Sequence, residues 1–296
     1  MGALGFNGNM LAYNGYALYA GEWPGPVLPP YTIKLQYYPG ETPKFKKGTA
    51  THLSTDPNIW VLTYKATNWS SLLRAIDQKA TLLAVLEANT TGVMNMTEMF
   101  NGCEWLSYLC PLDTSKVWGM SKMFTSCHNL RTVPHLDTSR CTNMSLMFND
   151  CIGLTEVPLL DTSKCTNMSG MFASCSQLQS VPLLDTSKCT NMSKMFNMSG
   201  LVTSPLFDTS KCTDMSQMYR KCFHLKEVPL LDTSVCTNMD EMFLDCYKVE
   251  GGALALYQQA RYQTTPPSSH DGTFWNCGVD TETGYAEYVQ IPNSWK

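Results

Sequence analysis

The chain has 296 residues, of which 16% are charged, and its formal net charge is −4. This length allows two domains. The slight acidity argues against a nucleic-acid-binding protein, which would carry a basic patch. No apolar run is long enough to predict a membrane-spanning helix, so we expect no membrane insertion.

Residues 1–30 show no packed pattern and no export signal, since no Lys or Arg precedes Lys34 and no sustained apolar core is present. A solvated tail is one interpretation of this segment. Aromatic side chains, however, are enriched where surfaces are buried against partners. We therefore expect an extended docking arm over 1–30, with four aromatic partner-docking residues: Tyr13, Tyr16, Tyr19 and Trp23.

The next segment, 31–88, is predicted to be a small β module followed by a capping helix. Alternating residues over 31–38 and 58–65 predict two strands, and Pro39-Gly40 predicts the turn that ends the first. Asn68 or Ser70 is a candidate N-cap for a helix that runs to about Ala88. We expect 31–88 to close the N-terminal end of the structure that follows.

The dominant feature is a block repeated seven times over 89–250. An Asp-Thr-Ser opening recurs at spacings of 24, 24, 24, 23 and 24 residues, and an earlier copy begins 24 residues before the first. The copies start at Asn89, Asp113, Asp137, Asp161, Asp185, Asp208 and Asp232. A fixed period of this length predicts a solenoid, because one copy cannot bury its own apolar face.

Four positions within each copy predict its core, numbering from the Asp. Positions 8 and 11 are always Met, and position 12 is Phe in six copies and Tyr219 in one. With position 15 they follow helical spacing, which predicts a short inward-facing helical turn. The later segment, such as 180–184, is predicted to be extended, with Pro at a strand start or edge. A ligand-binding box is the alternative for these columns, but repetition in every copy favours core.

Two further columns carry chemistry-bearing side chains. The Asp at position 1 suits a side-chain-to-backbone turn, and the cations at position 4 predict a salt-bridge stripe rather than a calcium ladder. Thirteen cysteines invite a disulfide or zinc interpretation. Eleven of them occupy positions 5 and 15, however, and no Cys-x-x-Cys occurs, so we expect reduced core thiols. Only Cys110 and Cys277 lie outside these columns, and their oxidation state is left open.

The run Asp-Thr-Ser-Lys-Cys-Thr-Asn-Met-Ser-x-Met-Phe-x-x-Cys-x-x-Leu resembles the BspA-type leucine-rich-repeat family of bacterial surface proteins. This resemblance covers about half of the chain and implies an adhesion or protein-recognition solenoid without catalysis. The chain departs from many members by Cys at position 5, where Val is usual, and by its lack of an export signal. The flanks 31–71 and 247–296 resemble proteins encoded by phages and prophages of gut Bacteroidales.

The fold expected from these observations is α+β, a leucine-rich-repeat-like solenoid of seven copies with a small β N-terminal module and terminal caps. Its parts are the arm 1–30, the module 31–88, the solenoid 89–250 and a C-terminal cap 251–296. The copy that starts at Asp185 is one residue short after Phe196, which predicts a local kink or bulge. Residues 252–262 predict a helix. Seven apolar residues are expected to cover the last copy: Phe274, Trp275, Tyr285, Tyr288, Val289, Ile291 and Trp295.

No catalytic residue, metal site or cofactor-binding motif is predicted, although a Cys127–His128 nucleophile pair stays open. Variable positions are the candidates for binding, because Trp, Tyr and Arg are typical interface anchors. The candidate receptor-face residues are Trp105, Tyr108, His128, Arg131, Arg220, Lys221, Phe223, His224 and Tyr247. For each of them an ordinary solvated surface is the alternative.

The resulting hypothesis is a bacteriophage virion protein, a fibre or a decoration protein. Its arm would dock on other virion proteins, and its solenoid would bind a host-surface protein or glycan. A homo-oligomer is expected, as phage fibres are often oligomeric. A bacterial cell-surface adhesin is the alternative.

Overall fold

The structure is a computed structural model that describes residues 9–13, 16–20, 29–39, 48–52, 56, 58–70, 72 and 81–296. It is a mixed α+β protein of small sheets and many turns, with few helices. The elements in chain order are β1 (Asn9–Tyr13), β2 (Tyr16–Ala20), β3 (Thr32–Tyr37), β4 (Thr49–His52), β5 (Ile59–Thr63), β6 (Leu82–Asn89), β7 (Tyr108–Leu109), α1 (Ala253–Tyr262), α2 (Glu282–Tyr288) and a 3-10 helix (Asn293–Trp295).

The N-terminal segment contains two paired strands. Strands β1 and β2 pair antiparallel, with Tyr13 opposite Tyr16 and Met10 opposite Tyr19. The sequence analysis did not predict these strands, and the docking role expected of 1–30 stays a prediction. Trp23 lies outside the described residues.

A five-stranded sheet follows, in the order β4-β5-β3-β6-β7. Strands β3 and β5 confirm the two predicted strands, whereas β4 was missed. The predicted helix ending near Ala88 is wrong, because 82–89 form strand β6 between β3 and β7. The apolar run Leu82–Val85 is fully buried. A strand buried on both faces is apolar along its whole length. The run Leu82–Val85 has more apolar residues than one stripe of a helix needs, and this excess favours a strand.

The seven copies stack on one another through their backbones. Even positions from 8 to 14 donate to the next copy, as in Leu146 N to Ser169 O at 2.8 Å and Phe148 N to Met171 O at 2.9 Å. Odd positions donate within the copy, as in Met147 N to Met144 O at 3.2 Å. Parallel bridges link position 7 of each copy to position 7 of the next. Each copy therefore satisfies its buried N–H groups by alternating between its neighbour and itself.

The predicted helical turn is absent: no helix occurs over 89–250, a stretch that the structure describes throughout. Positions 10 and 14 have positive φ in every copy, for example 59° at Lys194 and 60° at Ser174. A positive φ at the third residue of a turn defines a type II turn, which reverses the chain where a helix would continue. Helical spacing still brings positions 8, 11, 12 and 15 to the same side, so the inward direction was correctly predicted.

The core columns are confirmed. The side chains at positions 8, 11 and 12 of all seven copies are fully buried. The position-12 rings stack along the repeats, with centroids 5.5 Å apart between Phe124 and Phe148 and 5.7 Å apart between Phe148 and Phe172. One continuous apolar cluster extends from β3 through the copies to Trp295.

Degenerate copies extend the stack at both ends, which the sequence analysis missed. At the N-terminal end, Asn68 bridges Asn95, and the fully buried Trp69 occupies position 8. At the C-terminal end, Ser269 bridges Asn238, and Phe274 stacks on Phe243 at 5.9 Å. Cys277 consequently lies in the position-15 column, contrary to its assignment outside the columns.

The shortened copy keeps the ladder intact. Phe196 N donates to Met218 O at 2.8 Å, and Met198 N donates to Arg220 O at 2.8 Å. Ser199 replaces Cys at position 15 and is buried. The missing residue is absorbed after Ser199, so the expected kink or bulge does not occur in this ladder.

The expected extended segment forms a strand only in the first copy. There β7 pairs with β6, and Cys110 N donates to Val85 O at 3.0 Å. Cys110 occupies position 22, where the next five copies have Pro and the last has Ala253. Pro has no N–H and could not make this bond. The first copy, which lies beside strand β6, accordingly has Cys rather than Pro at this position.

The C-terminal cap is partly as predicted. Helix α1 confirms the predicted helix, and Phe274, Ile291 and Trp295 are buried. Trp275, Tyr285 and Val289 are about half exposed, at 49%, 53% and 54%, so their assignment to the cap is wrong. Trp295 closes the end instead, since it packs against Phe274 and Tyr257.

Replacing Lys194 by Gly should stabilise the protein. Lys194 is exposed and has φ 59°, a conformation that costs an L-residue more than it costs Gly. We expect the free energy of unfolding in urea to rise by about 1 kcal/mol. Lys194→Ala is the control and should have little effect, since it keeps the Cβ. Destabilisation by Lys194→Gly would contradict the assignment of strain to this position.

Phe274→Ala should destabilise the whole stack by about 3–5 kcal/mol, the usual cost of emptying a buried phenylalanine site. Phe172→Ala, in the middle of the repeats, is the matched reference. Urea unfolding followed by circular dichroism measures both. A cost below about 1 kcal/mol at Phe274 would mean that the last degenerate copy is not an integral part of the stack.

Candidate functional site

The invariant polar columns stabilise turns. The Asp161 Oδ1 atom accepts the backbone N–H of Ser163 at 3.0 Å and its hydroxyl at 2.7 Å. These bonds lower the pKa of the Asp161 carboxyl. Asn at position 7 accepts the backbone N–H of position 9 in the same way, as in Asn167 with Ser169 at 2.9 Å. The predicted turn role of the Asp column is therefore confirmed.

The predicted salt-bridge stripe is not formed. Within 89–250, where every residue is described, no cation of position 4 makes an ion pair with a position-1 carboxylate. Lys164 lowers the pKa of Asp161 by less than Ser163 does. The hydroxyl and amide of position 3 lie closer to the carboxylate, and an exposed lysine loses side-chain entropy when it is held in an ion pair.

The stability of the stack should depend on pH through this column. In Ser163→Ala with Ser187→Ala, Asp161 and Asp185 each lose the hydroxyl donor. A carboxyl whose pKa is lowered in the folded state stabilises the fold above its unfolded pKa, and this stabilisation disappears as pH falls through the folded pKa. The free energy of unfolding of the wild type should therefore exceed that of the variant at neutral pH and not in acid. Urea unfolding across acidic and neutral pH measures the difference.

Ser193→Ala is the control for this experiment, since the Ser193 hydroxyl donates at 2.7 Å to the neutral amide of Asn191. Its cost should not vary over the same pH range. A cost of the double variant that persists unchanged into acid would contradict the role of the carboxylates.

The cysteine columns are built for packing rather than for nucleophilic chemistry. All thirteen cysteines are free and buried, which agrees with the prediction for the eleven column thiols and adds Cys110 and Cys277, for which the sequence left the question open. Position-15 thiols donate to the position-12 carbonyl of the preceding copy, as in Cys151 Sγ to Phe124 O at 3.0 Å. Burial raises the pKa of Cys103 and of Cys175 to about 12. Such thiols stay protonated at neutral pH, and the thiolate is the nucleophilic form.

The Cys127–His128 pair left open by the sequence is not formed. Cys127 points inward and donates to Phe100 O at 3.3 Å, whereas His128 lies on the surface with its Nε2 atom 2.9 Å from Asp150 Oδ2. Within the described residues, no three His, Cys, Asp or Glu side chains are arranged to hold a metal ion.

The receptor-face candidates lie along one side of the stack, at positions 13 to 20 of their copies. We call positions 14, 16 and 17 the variable edge, since their residues differ from copy to copy. The candidates fall into two groups that lie several copies apart. Arg131 and His224 are exposed members of the first and second group, respectively.

The first group lies beside the N-terminal sheet. Trp105 is 38% exposed and makes an edge contact with Tyr38 at 5.4 Å. Tyr108 belongs to β7, and burial raises the pKa of its hydroxyl. His128 adds its contact with Asp150. Most of these side chains already have protein partners, so this group is largely structural.

The second group offers more free aromatic surface. Phe223 and Tyr247 stack with centroids 5.9 Å apart and planes 3° from parallel, and Phe223 is 42% exposed. The Tyr247 hydroxyl bonds to Asp245, which raises the pKa of that hydroxyl. We call the stacked rings of Phe223 and Tyr247, together with Arg220, Lys221 and His224, the Phe223 cluster.

Polar side chains lie around the two stacked rings of the Phe223 cluster. Arg220 Nε lies 2.8 Å from Glu241 Oε2, an ion pair without hydrogen-bond alignment, and Lys221 is half-buried beside it in the chain. The sequence analysis missed two nearby exposed apolar residues, Met198 at 48% and Trp275 at 49%. Met198 occupies position 14, and the variability of that position could have identified it as a binding candidate. Trp275 was expected in the cap, because the C-terminal degenerate copy to which it belongs was not recognised from the sequence.

The geometry defines a class of protein: a stack of short repeats whose fixed positions are internal and whose variable positions form an edge. The chain belongs to the family described as "Mycoplasma protein of unknown function, DUF285", which matches residues 67–180 and 152–255. These matches include the degenerate copy around Trp69. No curated protein and no solved structure matches the chain. Among the described residues, no helix has the length and apolar character needed to cross a membrane.

Proposed function

We propose that the protein is a non-catalytic binding protein in which a leucine-rich-repeat-like solenoid presents the Phe223 cluster to a host-surface protein or glycan. The observation that carries this proposal is the division between fixed buried columns and the variable edge. The repeat positions are committed to packing and turns, so residues that differ between copies are the ones available for recognition.

The Phe223 cluster has the composition of a binding site. Stacked aromatic rings with an uncovered face bury a large apolar area at a low cost in side-chain entropy. Arg220, Lys221 and His224 supply donors around these rings, and Arg and aromatic residues are enriched among interface anchors. The same combination suits the apolar face and hydroxyl groups of a sugar ring.

A binding role is favoured over an enzyme by the state of the reactive groups. The thiols are buried and protonated, and the Asp and Asn columns accept bonds from their own turns. These groups therefore stabilise the scaffold. The half-buried His128 engages a carboxylate, and the thiol of the neighbouring Cys127 points into the core.

For the biological setting we propose a bacteriophage virion, with residues 1–30 attached to other virion proteins and the solenoid facing outward. The resemblance of the repeats to surface adhesins and of the flanks to phage-encoded proteins supports this setting. Tyr13, Tyr16 and Tyr19 belong to the paired strands β1 and β2, and we propose that these strands make the attachment. A bacterial cell-surface adhesin is the second candidate, favoured by the repeat alone.

Mass spectrometry of purified phage particles distinguishes the two settings. Detection of the chain in particles, with loss of incorporation after Tyr13→Ser and Tyr19→Ser, is expected for the virion protein. Detection in the surface fraction of uninfected cells, and its absence from particles, would overturn the virion setting in favour of the adhesin.

Phe223→Ser with Tyr247→Ser should weaken binding to whole bacterial cells or to a panel of bacterial surface glycans by about tenfold or more, the size of effect expected for an interface anchor. Trp118→Ser is the matched control, since Trp118 is 53% exposed but lies at position 6, outside the variable edge. Retained binding by the double variant, or an equal loss in Trp118→Ser, would contradict the proposed site.

A further inference from the structure

A second surface feature is a line of exposed leucines. The residue two places before each of four consecutive Asp openings is Leu, and these side chains are unusually exposed for their type. We call Leu159, Leu183, Leu206 and Leu230 the leucine stripe; their exposed fractions are 66%, 63%, 65% and 53%. Because the copies stack in register, one such leucine follows another along the surface.

The leucine stripe has no role in the core. The adjacent position 24 supplies the buried side chains, which are Leu160, Leu184, Phe207 and Leu231 in these copies. Position 22 is Pro in all four. The stripe and its prolines therefore form an uncharged apolar surface, and contiguous exposed apolar patches mark interaction sites.

The stripe also has a shape into which a side chain fits. A surface depression of about 380 Å³ lies beside it, lined by Thr155, Glu156, Val157, Ser180, Val181 and Pro182. These residues directly precede Leu159 and Leu183 in their copies. One depression between two neighbouring copies thus lies next to the leucine stripe.

We infer that the leucine stripe is a contact between two copies of this chain. The partner must present apolar groups at the interval of the stacked copies, which is 5.7 Å between the rings of Phe148 and Phe172. A second copy of this chain presents apolar groups at the same interval, because it contains the same repeats. It offers both the leucines and the depression. In a folded partner without the same repeat, the spacing of the apolar groups would differ from that of the leucines, so only one or two leucines would be matched.

The composition of the surface suits such a contact. A protein–protein interface typically has an apolar centre and a polar rim. The leucines and prolines supply the centre, and the Asp column at position 1 lies at the rim, where its carboxylates stay hydrated. This inference does not depend on the receptor proposal, because the stripe and the Phe223 cluster occupy different positions of the repeat.

Sedimentation equilibrium of the full chain tests the inference. Wild type should form a dimer or a higher oligomer, and Leu183→Gln with Leu206→Gln should raise its dissociation constant by at least about tenfold, as expected when central apolar anchors are lost. Ile152→Gln with Met198→Gln is the control, since these residues are 43% and 48% exposed on the variable edge. Unchanged circular dichroism would show that all variants fold.

Cross-linking gives the second measurement. All thirteen native thiols are buried, so Leu206→Cys adds an accessible thiol that a short bismaleimide should link to that of a second chain. Ile152→Cys should give no such product. A monomeric wild type at all concentrations, an oligomer unaffected by the glutamine substitutions, or equal cross-linking through Ile152→Cys would overturn the inference.

Discussion

The structure depends on one constraint, the register between neighbouring copies. Alternate backbone N–H groups around the turns of the internal copies have their acceptors 22 or 23 residues further along the chain, as with Met198 and Arg220 or Leu146 and Ser169. A copy out of register would leave these groups buried without partners, which costs far more than any single apolar contact provides. The stacked rings, the thiol-to-carbonyl bonds and the repeated bridges at position 7 all follow from keeping this register.

Much of the core could be predicted from the sequence, because columns that recur in every copy identify buried positions without any knowledge of the backbone. Met168 and Phe172 are buried for the reason that the period suggested. The backbone path was not predictable from the same spacing, since a helix and a series of type II turns place positions 8, 11, 12 and 15 on the same side. Only the sign of φ at Lys194 and its equivalents separates the two, and side-chain identity hardly records it: Glu, Lys, Leu, Gly and Gln all occur there.

The ends and the surface were harder to predict for different reasons. Trp69 and Phe274 belong to degenerate copies in which most identifying residues are replaced, so the periodic signal falls below recognition while the backbone pattern persists. Strand β6 was mistaken for a helix because burial on both faces removes the alternation that identifies a strand. On the variable edge, the sequence singled out Phe223 and Tyr247 but did not show that their rings stack, nor that Trp105 packs against Tyr38.

The degenerate copies at the two ends have a consequence for how such proteins diversify. Every internal copy presents the same donors and acceptors to the copy on either side, so recombination between nearly identical gene segments can delete or duplicate one copy and leave every remaining junction chemically equivalent. The loss of one residue after Ser199, absorbed without breaking the ladder, shows that the tolerance extends to parts of a copy. The number of stacked copies can therefore change in steps of one during evolution while the terminal closures stay as they are.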